Sequence, residues 1–567
     1  MGDNQQAIVL FYKYFSSLPS EAGAESAIQQ WWKDPKGNVR NLYQWHEANL
    51  VTQSLSLSEG SASTSRKRRL PLVGRILIAP EGVNGTLSGN CDDVEAYVEL
   101  IKNYNNISCT NDGEGCVDDE NDSKEEANQR LSDNESDVDM RIFRDVDYKL
   151  SYDSSSKPLF PDLKISIVKE IVSTSGLVDV HAVPIETGKH LSPEEFHEIL
   201  EASRLSKSPQ EDLTKEIALI DVRNTFEHEI GYFVDPKTNT KAIDPETTTF
   251  SSFDKFCERN AENLRNKKVM MYCTGGIRCE KASILLKRRG VEDVNQLSGG
   301  IHRYLEKYGK NGHFKGLNFT FDKRVAMKPD FAFERNENKN HSCRNEKQKE
   351  ANDTKDGDSY KVVGRCVECN DHFDELCGSR VCTVCRDLVL VCDSCRSNDS
   401  LREYHCKRHS SWKTAYFSFL EIFDGEELEG QRSALLALRN DPSIAKNVRR
   451  TLTRQIRKVE ARMKGIQDGN LTVDKNAPRR CRSCQEPLGE KCDGKCWGFW
   501  RKADGISDLA NSVSVSETNL GKDSTINGHE FTTPGSGKVM GGRRAKQKRE
   551  AEMEFLTQPT NGAITCE

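Results

Sequence analysis

Apolar and polar residues alternate along the first 175 residues in a pattern that predicts short strands separated by amphipathic helices. Runs rich in β-branched and aromatic residues indicate strands, and apolar residues three or four positions apart indicate helices. The expected elements are, in order, a strand at 8–15, helices ending near residue 31 and covering 42–50, two strands around a turn at 80–85, a helix at 94–104 and a strand at 163–168. The order β, α, β, β, α, β is that of a ferredoxin-like domain over residues 6–175.

A second pattern, over residues 188–312, predicts a doubly wound α/β domain. The run 217–222 is apolar almost throughout, which is typical of a strand buried on both faces of a parallel sheet. The remaining elements expected in this domain are strands at 268–272 and 293–297 and helices starting at 192 and covering 252–264, 277–288 and 300–305. In such folds ligands bind at the carboxyl ends of the strands.

The junction between the strand at 268–272 and the helix at 277–288 carries the strongest chemical signal. Cys273 follows the strand directly, and the helix is preceded by Gly275 and Gly276. The free N–H groups and partial positive charge at a helix N-terminus lower the pKa of a cysteine held there, and Arg278 adds a full charge. We therefore expect a reactive thiolate at Cys273; the plainer alternative is a cysteine buried in the core.

The spacing between cysteine and arginine separates two classes of enzyme that use such a loop. A cysteine phosphatase needs arginine six positions after the cysteine, and Cys279 occupies that position here. The spacing Cys-x4-Arg closes a smaller loop, which suits one sulfur or a small anion and resembles the active-site loop of rhodanese-type sulfurtransferases. The candidate catalytic residues are Cys273, Thr274, Gly275, Gly276, Ile277, Arg278 and Cys279.

Three of the residues near this loop have two interpretations each. Asp221 and Arg223 lie at the end of a strand, where they either support the site from the same crevice or form a surface ion pair that closes the sheet. Cys279 either packs under the loop or resolves a persulfide or sulfenic acid at Cys273 as a disulfide within the loop.

Longer motifs resemble the wobble-uridine tRNA hydroxylase family, whose members fuse an acylphosphatase-like domain to a rhodanese domain. The motifs are the turn at 79–86, the strand at 219–224, the loop at 273–283, the segment 297–301 and the Phe-Asp-Lys-Arg element at 321–324. The resemblance covers about residues 6–330. An acidic insertion at 106–140 and a long extension past residue 410 depart from the bacterial pattern and resemble a plant rhodanese-like member.

The resemblance implies an enzyme that carries out oxygen-dependent hydroxylation of uridine at C5 in the wobble position of tRNA, with Cys273 as the essential cysteine. The sequence has no recognisable flavin or haem signature, which favours direct addition of the thiolate to C6 of uracil. A sulfurtransferase that forms a persulfide from a small donor such as thiosulfate is the alternative. A non-enzymatic zinc scaffold is a third interpretation.

Composition and charge add limits to this interpretation. Of 567 residues, 30 % are charged and 35 % hydrophobic, so we expect disorder in the acidic insertion and in the tail at 505–567. The 82 basic and 88 acidic residues nearly balance, so a nucleic-acid surface must be local. No apolar run reaches about 18 residues, and no membrane span is expected. The N-terminus lacks leader signals, which predicts a cytoplasmic protein, while the basic cluster at 66–69 allows nuclear import, a phosphate contact or a solvated loop tip.

A charged linker at 313–360 precedes a cysteine-rich module at 361–410. Paired cysteines two residues apart indicate closed tetrahedral zinc sites, which stabilise the fold and leave no coordination position for catalysis. The proposed ligands are Cys366, Cys369, Cys377, Cys382, Cys385, Cys392, Cys395 and Cys406. His372, His405 and His409 are further candidates, and the sequence does not decide the pairing.

A basic helix is expected at 425–465, either along a tRNA backbone or simply solvated, followed by a second cysteine module at 478–502. The ligands proposed in that module are Cys481, Cys484, Cys492 and Cys496. Its basic and aromatic residues suit the unpaired bases of an anticodon loop, or the aromatic residues only cap a small core. The candidate RNA contacts are Arg479, Arg480, Trp497 and Trp500.

Overall fold

The computed structural model describes most of the predicted domains. Described are residues 6–16, 27–50, 69–104, 141–153, 158–205, 215–329, 360–398 and 403–481, with 484, 486–488, 491 and 492. The acidic insertion, residues 66–68 and the tail at 505–567 lie outside the described residues. Among the helices that are described, none is both long and apolar enough to cross a membrane.

The N-terminal domain is an acylphosphatase-like sheet with helices packed on it, as predicted. Its elements are β1 (Gln6–Tyr14), α1 (Ala27–Lys33), α2 (Pro35–Asn49), β2 (Val73–Ala79), β3 (Gly82–Asn90), α3 (Cys91–Lys102), β4 (Lys149–Asp153) and β5 (Leu163–Ile167). The strand order is β4-β1-β3-β2-β5. Helices α1 to α3 bury Trp31, Leu42 and Tyr97 against Val9 and Ile76 in one core.

The last strand of the ferredoxin-like unit is β4, and the prediction of 163–168 for that role was wrong. β4 pairs antiparallel with β1, whereas β5 pairs parallel with β2 at the other edge of the sheet. Lys149–Asp153 contains only two large apolar residues among polar ones, so its pattern is weak. Pairing with β1, rather than hydrophobicity, makes this segment a strand.

The rhodanese domain has helices on both faces of a parallel sheet. Its elements are α4 (Val183–Glu186), β6 (Lys189–Leu191), α5 (Pro193–Leu205), β7 (Ile217–Asp221), α6 (Thr225–Ile230), β8 (Gly231–Phe233), α7 (Phe253–Leu264), β9 (Lys268–Tyr272), α8 (Ile277–Lys287), β10 (Val294–Leu297) and α9 (Gly300–Tyr308). The sheet order is β6-β10-β9-β7, with all pairs parallel. Val269 and Met271 of β9 face one core with α7 and α8, while Met270 and Tyr272 face another with α5 and α9.

Residues 313–329 form strands instead of the predicted linker. Strand β11 (Phe314–Gly316) pairs antiparallel with β8, and β12 (Asn318–Phe319) pairs with β13 (Ala326–Met327). Phe319 and Leu317 pack with Phe226 of the rhodanese domain and with Leu376 and Leu388 of the cysteine-rich module. This packing joins the module to the rhodanese domain.

The segment predicted as one helix at 425–465 is a pair of helices, Gly425–Asn440 and Lys446–Gln467. Pro442 lies between them, and a proline disfavours helical geometry at the residue that precedes it. Leu428 and Leu435 of the first helix share a core with Leu452 of the second. The two helices therefore form a hairpin with its own apolar interior.

The N-terminal domain and the rhodanese domain meet through a buried ionic contact as well as through apolar packing. The Nζ atom of Lys281, on α8, lies 2.8 Å from Glu81 and 3.1 Å from Glu170, both in the N-terminal half. Lys281 is fully buried. Tyr14 and Ala79 of the N-terminal domain belong to the same core as Ile284 of α8.

We expect Lys281→Met to destabilise the joined domains strongly, because it leaves the carboxylates of Glu81 and Glu170 without their cation. Removing one partner of a buried pair costs about 3–5 kcal/mol. Lys267→Met, which breaks the exposed pair with Glu216, should cost less than about 1 kcal/mol. Denaturant unfolding of both variants measures the difference, and equal losses would contradict the assignment.

Candidate active site

Cys273 lies directly after β9, and α8 begins at Ile277 four residues later. The intervening backbone curls around the sulfur, so that the N–H of Gly276 donates to the Cys273 Sγ at 3.1 Å. Gly276 has φ of +100°, a value that side chains other than hydrogen rarely tolerate. The strand, the tight loop and the helix predicted from the pattern are thus all present.

The environment of Cys273 favours its thiolate form. Burial by itself raises the pKa of the thiol, but a hydrogen bond from Cys279, the charge of Arg278 and the backbone N–H groups of Arg278 and Cys279 outweigh it and lower the pKa to about 6. Burial and the hydrogen bond to Cys273 raise the pKa of Cys279 well above its usual value. Cys279 therefore stays protonated beside the charged sulfur.

The Nη atoms of Arg278 are bound to other side chains and are not free to bind a ligand inside the loop. Its Nη1 and Nη2 atoms bind the two carboxylate oxygens of Glu227 at 2.7 and 2.9 Å, and Nη2 also donates to Thr274 Oγ1 at 3.1 Å. Glu227 is fully buried and at the same time caps α6 through the N–H of Asn224. The guanidinium thus contributes its charge to Cys273 while its donors hold the loop in place.

Asp221 and Arg223 form a buried pair and not the surface pair considered as an alternative. Both are fully buried, with Arg223 Nη2 at 2.7 Å from Asp221 Oδ2. His228 Nδ1 lies 2.9 Å from the same carboxylate oxygen. The backbone N–H of Val222 donates to Tyr272 O, next to Cys273. The pair therefore stabilises the sheet edge from which the loop projects.

Strand β1 of the N-terminal domain covers the loop. A Cβ placed on Gly275 would meet Leu10 Cδ2 at 3.1 Å, and one on Gly276 would meet the Tyr12 hydroxyl oxygen at 2.9 Å. Lys149 of β4 is buried, with its ammonium 5.4 Å from the centre of the Tyr12 ring. The loop glycines are thus required by close approach of the other domain, and Cys273 has no exposed surface.

The start of α9 fixes the other side of the loop. The N–H of Ile301 donates to Cys273 O at 3.0 Å, and the N–H of His302 donates to Thr274 O at 3.1 Å. A Cβ on Gly300, where φ is +66°, would lie 2.5 Å from Cys273 O. The glycine pair that opens α9 is therefore part of the site.

Glu227, Tyr12 and Lys149 are site residues that the sequence did not indicate. Glu227 is one of many acidic residues in helical patterns, and Lys149 belongs to a strand that was not recognised. The Asn224-x2-Glu227 spacing of a capping box was the one available signal, and it marks a helix start, not an active site.

Two groups of side chains in the cysteine-rich module could each hold a metal ion. They are Cys366, Cys369, Cys392 and Cys395, and Cys382, Cys385, Cys406 and His409, with the ligand atoms of each group within 4.8 Å of one another. Sulfur and imidazole ligands in sets of four suit a tetrahedral ion. The pairs alternate along the chain, so two sites bind four short segments together.

The ligand sets differ from the prediction at one position in this module. Cys377 lies beside the Ser379 hydroxyl at 3.1 Å and belongs to neither group. His409 Nδ1 lies 3.2 Å from Cys406 Sγ and fills the fourth place. His372 and His405 belong to neither group of the described residues.

The second cysteine module is described only in part. Cys481, Cys484 and Cys492 lie within reach of one ion, whereas Cys496, Trp497 and Trp500 are outside the described residues. The guanidinium of Arg479 lies over the ring of Tyr404, at 4.6 Å from its centre. Arg479 and Arg480 also line a cavity with Tyr404 and Phe419.

Comparisons with known proteins agree with both domains. The UPF0176 acylphosphatase-like domain matches residues 60–171, and the rhodanese-like domain matches residues 194–307. The protein is therefore of the class that joins an acylphosphatase-like domain to a rhodanese domain.

Relatives define the family more narrowly. The tRNA uridine(34) hydroxylase of Corynebacterium glutamicum is 30 % identical over 344 residues, which is 60 % of this chain and 83 % of that protein. The hydroxylase of an Arthrobacter species is 30 % identical over 337 residues, or 58 % of this chain and 86 % of the relative. The chain belongs to the tRNA uridine(34) hydroxylase family and is an enzyme. Rhodanese-like domain-containing protein 6 of Arabidopsis thaliana is 31 % identical over 60 % of this chain, a match that spans about half of that protein's length, 48 %.

Alkylation of Cys273 by iodoacetamide, which reaches the buried sulfur when β1 separates from the loop, should follow a titration with its midpoint near pH 6, because only the thiolate reacts. Cys279→Ala removes a hydrogen bond to the charged sulfur and should move the midpoint up by about one to two pH units. Mass spectrometry of the Cys273 peptide between about pH 5 and 9 measures both.

Cys257 provides an internal control, since burial raises its pKa to about 12 and it should remain unlabelled. A midpoint above about pH 8 in the unaltered protein would show that the loop does not stabilise the thiolate.

His409→Ala should remove one equivalent of bound metal, because it deletes a ligand of the second group, whereas Cys377→Ser should remove none. Elemental analysis of the purified variants measures the metal content. The opposite result, loss with Cys377→Ser and retention with His409→Ala, would restore the ligand set expected from spacing.

Proposed function

We propose that this enzyme hydroxylates uridine at C5 in the wobble position of tRNA, with Cys273 as the nucleophile. The observation that carries the proposal is a thiolate stabilised by N–H groups and by a neighbouring thiol in a chain of this family. The names of the bacterial relatives state the substrate nucleoside and the reaction. We place the activity in the cytoplasm.

In the proposed reaction the Cys273 sulfur bonds to C6 of uracil, and the electron pair of the C5–C6 double bond moves to C5. C5 then bonds to dioxygen and gives a hydroperoxide after protonation. An external thiol reductant supplies two thiols that reduce the O–O bond, which gives a disulfide, releases one oxygen atom as water and leaves the other as a hydroxyl on C5. Loss of the C5 proton restores the double bond and expels the Cys273 thiolate, so that one oxygen atom enters the base and the other leaves as water.

The loop residues have distinct roles in this reaction. The N–H of Gly276 and the thiol of Cys279 stabilise the thiolate before attack and after its expulsion. Thr274 and Glu227 hold Arg278 in place. Because β1 covers the sulfur in the described conformation, uridine gains access when Leu10 and Tyr12 separate from the loop.

A thiosulfate sulfurtransferase is supported less well. Such an enzyme needs a cation that is free to bind the sulfonate oxygens of the donor, and both Nη atoms of Arg278 are already bound to Glu227. Thiosulfate-to-cyanide turnover tests this alternative directly. For the cysteine-rich module we propose zinc as the metal, in a structural role, because one group supplies four thiols and the other three thiols and an imidazole, which would complete a four-coordinate shell.

tRNA that carries 5-fluorouridine at the wobble position should form a stable covalent adduct with the enzyme, because fluorine replaces the proton whose loss releases Cys273. Denaturing gel electrophoresis and mass spectrometry detect the adduct. Cys273→Ser should form none, and Cys257→Ser, which alters a buried cysteine of α7, should form as much as the unaltered enzyme.

In cells that lack the protein, nucleoside mass spectrometry should show loss of 5-hydroxyuridine derivatives from tRNA. Expression of the unaltered chain should restore them, and expression of Cys273→Ser should not. Unchanged tRNA nucleosides in these cells would reject the proposed function.

A further inference from the structure

The second helix of the C-terminal hairpin, Lys446–Gln467, has an unusual charge. It carries eight basic residues and one acidic residue, Glu460, within 22 positions. The chain as a whole has a net charge of -6. The helix lies outside both segments that match known domains, at 60–171 and 194–307. This positive charge therefore lies in a part of the chain that has no role in the proposed reaction.

The basic side chains cluster on one side of this helix. At about 100° per residue, six of them fall within an arc of about 120°. We call this set the basic face, and its members are Lys446, Arg450, Arg454, Arg457, Lys458 and Lys464, all exposed. The buried residues Leu452, Ile456 and Val459 lie about 180° away and pack on the first helix of the hairpin.

The charges of the basic face are not neutralised by the rest of the described chain. Across the residues that the structure describes, none of the six forms an ion pair, and Glu460 lies 4.0 Å from Arg432 instead. The two other basic residues of the helix differ. Arg449 donates to Ile444 O and Arg462 to Glu421 O, so both are engaged in the fold.

The basic face is held in a fixed position relative to the catalytic domain. Gln455, on the buried side of the helix, donates to Phe417 O of the preceding segment. The cysteine-rich module in turn contacts the rhodanese domain, where Arg408 donates to Glu246 O at 3.0 Å and Lys407 lies 3.3 Å from Glu229. A ligand on this helix therefore has a defined position relative to the loop of Cys273.

We propose that the basic face binds the phosphate backbone of the tRNA substrate. That the nucleic acid is tRNA rests on the proposed function. That the helix contacts phosphates rests on the six cations of the basic face that form no ion pair among the described residues. From Lys446 to Lys464 the helix extends about 27 Å, which allows contact with several successive phosphates. Such contacts position the nucleic acid and carry no sequence preference.

The test compares two triple variants of the full chain in a Cys273→Ala background, so that binding is measured without turnover. Arg450→Gln, Arg454→Gln and Arg457→Gln together alter the basic face. Lys164→Gln, Lys189→Gln and Lys255→Gln remove the same charge from exposed positions in the other domains. Circular dichroism confirms that each variant folds, and fluorescence anisotropy with an unmodified tRNA transcript gives Kd at several salt concentrations.

The basic-face variant should raise Kd roughly tenfold or more and reduce the slope of log K against log salt by about 2 to 3, since each lost phosphate contact accounts for about 0.7 to 0.9. The control variant should keep the slope of the Cys273→Ala parent. Equal slopes in the two variants, or a parent that does not bind tRNA, would overturn the proposal. A weakened basic-face variant supports the docking surface even if the hydroxylation of wobble uridine is not found, so the two proposals can fail separately.

Discussion

The candidate active site depends on keeping the sulfur of Cys273 ionised although it is buried from solvent. Burial alone would protonate Cys273, and a short loop of donors reverses that effect. The donors are useful only if the loop cannot relax, and the loop is fixed from three directions. The pair of Arg278 and Glu227 holds one side, the start of α9 holds the loop carbonyls, and β1 of the other domain lies on top.

The N-terminal domain is thus part of the active site and not an independent appendage. Leu10 and Tyr12 touch the loop glycines, and Lys149 brings a second buried ammonium close to the same region. The buried contact of Lys281 with Glu81 and Glu170 ties the two domains together. This arrangement buries the Cys273 sulfur. In the proposed reaction, a base would reach it when the loop separates from β1.

The C-terminal region follows a different physical principle. Its cysteine-rich module has only small apolar clusters, and two interleaved groups of side chains that could each hold a metal ion bring four short segments together. The helical hairpin beyond the module has a small core of its own, and it shares Val384 with the segment that bears Cys382 and Cys385. The result is an extension packed against the rhodanese domain that carries a basic helix outside the site of Cys273.

The sequence by itself determined the elements whose information is local. The apolar run before Cys273, the two glycines and the helix after them specify a strand, a tight loop and a helix, because each depends on neighbours within a few positions. The alternation of strands and helices likewise specified the α/β domain. Cysteine spacing predicted seven of the eight side chains that the structure groups into possible metal sites, since cysteines separated by two residues can reach a common ion.

The tertiary structure alone decided the features that depend on distant partners. The role of Glu227, the choice of His409 over Cys377, and the pairing of Lys149–Asp153 with β1 each join residues far apart in the chain, and no local pattern distinguishes them from similar residues elsewhere. The ionisation of Cys273 depends both on local sequence and on tertiary structure. Its loop is local, but the burial and the fixed guanidinium that set its pKa come from segments brought together only by folding.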